Sequence, residues 1–376
     1  MTLERMRLRT AAAVAATTVI GAGVAAVAAG RYVSGLALKP HPNGPEAEPL
    51  HTVHATTTGR VTLTRSVASS RPGIYGLAGD DVHAVAGEVL STTPDTVTRS
   101  LERVQRGALT PGTRVRITPQ LYEGDPSSAL GLGHAEVEIP GELGPLPAWF
   151  VPSARDTWVI TVHGIGTTRE HPLNVMPALC GQLFPVLDIA YRNDPGAPES
   201  PDGLAHLGDT EWRDLDAAMR YAASHGADRF ILYGWSTGAT MALRAAAHSP
   251  LSDRVSGLVL DSPVLDWQST VRATAAARGV PGALLPLGVR AAEGRTGLHA
   301  ARIADAAEPS RLRVPTLIFH GPDDTIAPWG PSRELAARRA DRVVLHPVPG
   351  APHAAMWNVD PHSYEETLRR FLTPLA

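Results

Sequence analysis

The sequence predicts an α/β protein: a mostly parallel sheet of the eight-stranded type, with helices on both faces, preceded by a small β-rich region. Three observations carry that reading. From Gly133 onward, short and nearly continuous apolar runs alternate with helical patterns, as strands buried on both faces require. Before that, from about His51 to Asp125, short β-like runs alternate with turn clusters. Finally, the tight turn Gly234-Trp235-Ser236-Thr237-Gly238 joins an apolar run, Phe230 to Tyr233, to an alanine-rich helical stretch.

Composition bounds the rest. A chain of 376 residues is long enough for one large α/β domain plus a small appendage. Its 43% hydrophobic content suffices for a sizeable core, and a formal net charge of −3 gives no reason to expect nucleic acid as a partner. The single cysteine, Cys180, excludes an intrachain disulfide and a cysteine-based zinc site. It lies in an apolar helical pattern, as a small hydrophobe would.

The N-terminus reads as a targeting segment. Arg5, Arg7 and Arg9 precede a charge-free run from Ala11 to Gly30, closed by Arg31. Residues 1–31 are therefore expected to be a signal peptide or signal anchor. The run nears the length of a transmembrane helix, while Ala26-Val27-Ala28 resembles a cleavage site. Either outcome puts the bulk of the protein outside the cytoplasm, membrane-anchored or secreted, because the arginines stay inside. Residues 32–50 read as a linker whose prolines forbid regular structure. Residues 51–130 form the small β-rich accessory region, with strands over 60–65, 73–77, 82–90 and 113–118. Its histidines, His51, His54 and His83, show no metal-ligand spacing.

Residues 133–376 supply the main domain. Runs at 134–139 and 146–151 look like an opening hairpin, and Trp158 to His163 is a buried strand ending in His163-Gly164-Ile165-Gly166. A helix from Pro172 and a strand over 184–191 follow. Asp209 or Thr210 can cap the next helix, on which Leu215, Met219 and Ala222 form one apolar stripe. After the elbow comes a strand over 255–260, ending at Asp261-Ser262-Pro263. Residues 264–314 interrupt the alternation as a lid-like insertion, which contains the apolar, kinked run 279–288. The sheet resumes over 315–320, leads into Gly321-Pro322-Asp323-Asp324, and continues with a helix from Gly330 and a last strand over 342–348. Asp360-Pro361, a cap and a proline at the first helical position, opens a closing helix whose apolar face is Tyr364, Leu368, Phe371 and Leu372.

Parallel sheets gather function at the carboxyl ends of their strands, and five such ends carry chemistry here: His163-Gly164, Ser236, Asp261, Asp323-Asp324 and His353. Serine, acid and histidine in that order, with the elbow, His320-Gly-Pro-Asp-Asp-Thr-Ile-Ala-Pro328 and Gly350-Ala-Pro-His353, resemble the α/β-hydrolase family, in its esterase, lipase and serine aminopeptidase-like members. The resemblance covers residues 133–376 and leaves the accessory region unexplained. It implies a serine hydroxyl activated by an imidazole that a carboxylate orients. Ser236 is then the nucleophile, His353 the base and Asp324 the acid, with Asp323 and Asp261 as rivals for the last role. Thr237 supplies one backbone N–H to an oxyanion hole, and by resemblance Ile165 supplies the second. His163 reads as a residue that holds its loop.

The expected activity is hydrolysis of a carboxylic ester through an acyl-enzyme, with a lipophilic acyl group suggested by the leucines and prolines of 264–314. A serine aminopeptidase-like peptidase, an acyltransferase and a non-catalytic binding protein stay open. Partners are thus a small-molecule ester or a short acyl or peptide substrate, with the membrane engaged only through the N-terminal segment. No cofactor is expected, because Gly164-Ile165-Gly166 lacks a third glycine at dinucleotide-binding spacing. No metal is expected either, because His163 and His171 lack a carboxylate ligand at suitable spacing.

Overall fold

The computed structural model describes residues 24–40, 50–297 and 308–376. Its centre is an eight-stranded sheet in the order β14-β13-β12-β11-β9-β10-β8-β7. The sheet opens with the hairpin β7 (Ala135–Pro140) and β8 (Pro145–Val151), followed by β9 (Thr157–Val162) and β10 (Val186–Ile189). It continues through β11 (Arg229–Trp235), β12 (Val255–Asp261), β13 (Thr316–His320) and β14 (Val343–Pro347). It is mixed: β8 runs antiparallel to both β7 and β10, while every pair from β10 through β14 is parallel. All six residues of β9 are buried, so that strand has no polar face to show.

Helices cover both faces. One apolar layer unites Ile160, Leu232, Leu258 and Ile318 of the strands with Leu215, Met219 and Ala222 of the helix Trp212–Ser224. The other unites Val159, Ile231, Val259 and Leu317 with Tyr364, Leu368 and Leu372 of the closing helix Pro361–Leu372. Asp360 caps that helix, its carboxylate accepting from Ser363 N–H at 3.0 Å. Glu211 replaces the expected Asp209 or Thr210 at the head of Trp212–Ser224. Its carboxylate gathers the N–H groups of His206, Gly208 and Thr210 at 2.5, 3.0 and 3.3 Å, so it organises the preceding turn instead of capping the helix.

The accessory region is a closed antiparallel barrel in the order β1-β2-β5-β4-β3-β6. Its strands are β1 (His51–Thr57), β2 (Arg60–Thr64), β3 (Tyr75–Ala78), β4 (His83–Thr92), β5 (Thr96–Arg106) and β6 (Arg114–Thr118). Closure removes the exposed edges that so small a sheet would otherwise present. Val53, Leu63, Leu77, Ala84, Val97 and Val115 fill the interior. So does Arg99, which is 1% exposed and lies two residues along β5 from Val97. Its guanidinium donates to the carbonyls of Gly87, Ser69, Arg71 and Gly73 at 2.8, 3.0, 2.7 and 2.6 Å. Burial pulls its pKa down from the usual arginine value, with Tyr75 opposing.

The N-terminal segment departs from expectation. Residues 24–38 are helical, so 32–38 are the last turns of a helix and not the start of a linker. Most of the remaining linker, residues 41–49, lies outside the described residues, as do residues 1–23 of the proposed signal or anchor. Among the described residues no helix is long and apolar enough to cross a membrane. Val33, Ser34, Ala37 and Leu38 are buried. They pack on the insertion, which forms the helices Trp267–Ala277 and Leu285–Thr296. A Cβ on Gly288 would stand 2.2 Å from the Val33 side chain, so glycine there lets the two helices meet.

Candidate functional site

β11 delivers Ser236 into a backbone that few residues adopt, with φ 52° and ψ −116°. Two glycines make the turn possible. A Cβ on Gly234 would fall 2.3 Å from the Gly238 backbone, and one on Gly238 would fall 2.3 Å from the Val162 carbonyl oxygen. The Ser236 N–H donates to the Asp261 carbonyl at 2.8 Å, which ties the turn to β12.

Three side chains distant in sequence meet at this point. The Ser236 hydroxyl lies 2.7 Å from His353 Nε2, and His353 Nδ1 lies 2.8 Å from Asp324 Oδ2. The other Asp324 oxygen accepts the N–H groups of Ile326 and Ala327 at 2.9 and 2.8 Å. Burial opposes the charge on Asp324, but His353 and His320 beside it hold the carboxyl well below the usual carboxylate range. With that carboxylate at Nδ1, the ring carries its proton there and leaves Nε2 to accept from the serine.

The rival acids are engaged elsewhere. Asp323 accepts the Gly350 N–H at 2.7 Å, clasping the loop that carries His353. Asp261 is fully buried and accepts from Tyr364 at 3.0 Å and Ser262 at 3.1 Å, and burial pushes its pKa up to about 7. The Ser262 hydroxyl accepts in turn from the Ala354 N–H at 3.0 Å, next to His353.

His163 holds its loop through both ring nitrogens, Nδ1 to the Gly164 carbonyl and Nε2 to Asp194 Oδ2, each at 2.9 Å. Burial works against its charge, but Asp194 and the Gly164 carbonyl raise its pKa overall. His171 is buried against Trp235, with ring centroids 5.3 Å apart, and burial lowers its pKa to about 3. No group of three or more His, Cys, Asp or Glu among the described residues could hold a metal ion.

Two side-chain roles at the site, those of the Thr237 hydroxyl and of His320, escape sequence reasoning. The Thr237 hydroxyl accepts the Ile165 N–H at 2.9 Å, so the donor expected to face a substrate carbonyl is engaged by a side chain. Nothing in Gly-x-Ser-x-Gly specifies its second variable position. His320 stands with Nε2 3.2 Å from Asp324 Oδ2 and Nδ1 2.8 Å from the Ser332 hydroxyl. Its place at the head of the His320-to-Pro328 motif is the signal that could have found it.

Ser236 and His353 open into a cleft of about 980 Å³ between the barrel, the insertion and the sheet. The barrel side contributes Ala68, Arg71, Tyr75 and Arg116, and the insertion contributes Thr270, Thr274, Ala277 and Arg278. Among the described residues no leucine of the insertion lines the cleft; Leu284 and Leu285 pack with Val33, Ala275 and Val280 against the 24–38 helix.

Comparisons with known proteins agree with this architecture. The sequence profile of the prolyl oligopeptidase family matches residues 201–373, and that of a domain of unknown function, DUF8805, matches residues 52–118. No curated protein matches the chain in sequence. Among solved structures, the Pyrococcus furiosus esterase Pf2001 superposes with a TM-score of 0.55 at 22% identity, over 67% of this chain and 95% of that one. An alpha-beta hydrolase from Vibrio vulnificus does so with a TM-score of 0.50 at 16% identity, over 64% and 81%. The fold is that of the α/β-hydrolases.

Proposed function

We propose that this protein is a serine hydrolase that cleaves a carboxylic ester through an acyl-enzyme. The observation that carries the reading is the unbroken chain of hydrogen bonds from Ser236 through His353 to Asp324. In this reading the Ser236 oxygen attacks the ester carbonyl carbon while His353 Nε2 takes the hydroxyl proton. The Asp324 charge stabilises the imidazolium that results. Oxyanion charge falls to the Thr237 N–H, which lies in the first helical turn where no intrahelical acceptor exists. The Ile165 N–H joins it once the Thr237 hydroxyl releases that donor. The imidazolium then protonates the departing alkoxide, and water repeats the sequence in reverse on the acyl-enzyme.

A fluorophosphonate probe should label the wild type and fail to label Ser236→Ala. Equal labelling of both would refute the assignment. One observation favours a second reading, peptide-bond cleavage: the prolyl oligopeptidase match. Turnover of aminoacyl nitroanilides with no turnover of nitrophenyl esters would favour it.

A further inference from the structure

We propose that Ser262 is a positioning residue for the base: its hydroxyl, aimed by the Asp261 carboxyl, holds Ala354 in a left-handed backbone and thereby keeps His353 within reach of Ser236. The proposal rests on Ser236 and His353 being the nucleophile and base of a serine hydrolase, and it adds a residue that acts through the loop bearing the base.

That loop needs a hold. Ala354, directly after His353, has φ 54°, a left-handed conformation in which an alanine Cβ crowds the following carbonyl oxygen and which glycine would adopt freely. Such a backbone persists only where its surroundings over-determine it. Ala354 is buried, and its N–H donates to the Ser262 hydroxyl at 3.0 Å. The buried ring of His171, packed on Trp235, also bonds the Ala354 backbone.

The same anchor serves the nucleophile. The Ser236 N–H donates to the Asp261 carbonyl at 2.8 Å, so the elbow and the base loop are fastened to consecutive residues at the end of β12. Ser262 itself has φ 50° and donates its N–H to the Phe319 carbonyl at 2.9 Å, which ties this anchor to β13. Two covalently joined residues leave little play between their attachment points, and the 2.7 Å contact from Ser236 to His353 Nε2 closes between the parts they hold.

The direction of the Ser262 hydroxyl is fixed as well. Its proton goes to Asp261 Oδ1 at 3.1 Å, which leaves the oxygen lone pairs for the Ala354 N–H. Asp261 Oδ2 accepts from the Tyr364 hydroxyl at 3.0 Å, and that hydroxyl meets the one of Tyr233. Ser262, Asp261, Tyr364 and Tyr233 are all buried and none lines the cleft, so what this network does for the reaction passes through His353.

The experiment measures kcat and KM on nitrophenyl acetate, expressed per site titrated to completion with a fluorophosphonate so that misfolded protein does not count. Ser262→Ala should lower kcat by roughly 10- to 100-fold with KM unchanged, because the base is displaced while the cleft is not. Ser262→Gly also lacks the hydroxyl but relieves the left-handed strain at its own position, so it should fold at least as well and show the same loss. Adding Ala354→Gly to Ser262→Ala should recover part of kcat, since glycine holds the left-handed backbone without help; a bond that serves stability alone would give no such rescue in rate per labelled site. A Ser262→Ala enzyme with the wild-type kcat overturns the proposal and leaves the hydrolase reading standing. So does a rise in KM with kcat intact, or a loss of kcat that Ala354→Gly leaves in place or deepens. Wild-type protein that neither labels nor turns over the ester overturns the hydrolase reading itself and this proposal with it.

Discussion

Asn358 and Ile74 hold each other by two hydrogen bonds. The Ile74 N–H donates to the Asn358 carbonyl at 2.8 Å, and the Asn358 side-chain amide donates back to the Ile74 carbonyl at 2.9 Å. The same amide reaches the Pro119 carbonyl at 2.9 Å, and nearby Ala355 packs in the barrel's own core. The loop bearing His353 is thus fastened to the barrel. Asn358→Ala takes the side-chain donor from the Ile74 carbonyl, while the Pro119 carbonyl keeps the Asn174 amide at 2.8 Å, and should cost about 1–3 kcal/mol of stability by denaturant unfolding. It should also lower kcat more than it raises KM. A loss of stability with kcat intact would show that the barrel does not position His353.

The Thr237 hydroxyl occupies the Ile165 N–H and also bonds the buried Tyr191 hydroxyl. Thr237→Val removes both contacts at nearly constant volume. If they hold the 164–167 turn, the variant should lose roughly 1–3 kcal/mol. Thr237→Ser should keep most of that stability. If the hydroxyl also competes with substrate for the Ile165 N–H, kcat per folded molecule should rise in Thr237→Val; comparing all three proteins separates the two effects.

Much of the site was legible because its geometry is local. The elbow glycines, the stripe of Leu215, Met219 and Ala222 and the cap at Asp360 each follow from a few adjacent residues. What escaped depends on distant ones. In β5, Val97, Leu101 and Val104 are spaced as on a helix, and the inward position between Val97 and Leu101 is Arg99, so the strand's alternation is hidden. That buried arginine is tolerable because carbonyls distant in sequence, those of Ser69, Arg71 and Gly73 and of Gly87 on β4, accept its hydrogen bonds. The helix over 24–38 packs on the insertion far along the chain, and no local pattern in the sequence records that contact. The engagement of Ile165 by Thr237 joins residues on two different strand ends, which no local pattern records.

Gly164 faces the nucleophile. A Cβ there would stand 2.8 Å from Ser236 Cβ, closer than real atoms approach. Gly164→Ala must displace either Ser236 or the loop that carries Ile165. Because a displacement near 1 Å can cost about 100-fold in rate, kcat on nitrophenyl acetate should fall by that order. The circular dichroism spectrum should stay native. A fully active Gly164→Ala would mean that the loop and the serine are less tightly coupled than their contact implies.

The two aspartates near His353 respond to pH in opposite senses. Asp324 has a folded pKa below its unfolded value, so its stabilisation is present above about pH 4 and is lost as pH falls through the folded value. Asp324→Asn should therefore remove acid-sensitive stability, and should lower kcat by as much as about 10⁴-fold if it fills the orienting role. Asp261 has a folded pKa raised by burial to about 7. Its protonated form favours the fold below about pH 4, and that stabilisation fades as pH rises through 7. Asp188, buried on β10 and also pushed up to about 7, adds to the same slope. The wild type should thus lose melting temperature between pH 5 and 8 more steeply than Asp261→Asn, whose uncharged amide stays neutral throughout. At pH 8 the variant should melt at or above the wild-type temperature. If both proteins keep parallel profiles across that range, Asp261 is ionised in the fold, and the Tyr364 and Ser262 hydroxyls stabilise its charge more than burial opposes it.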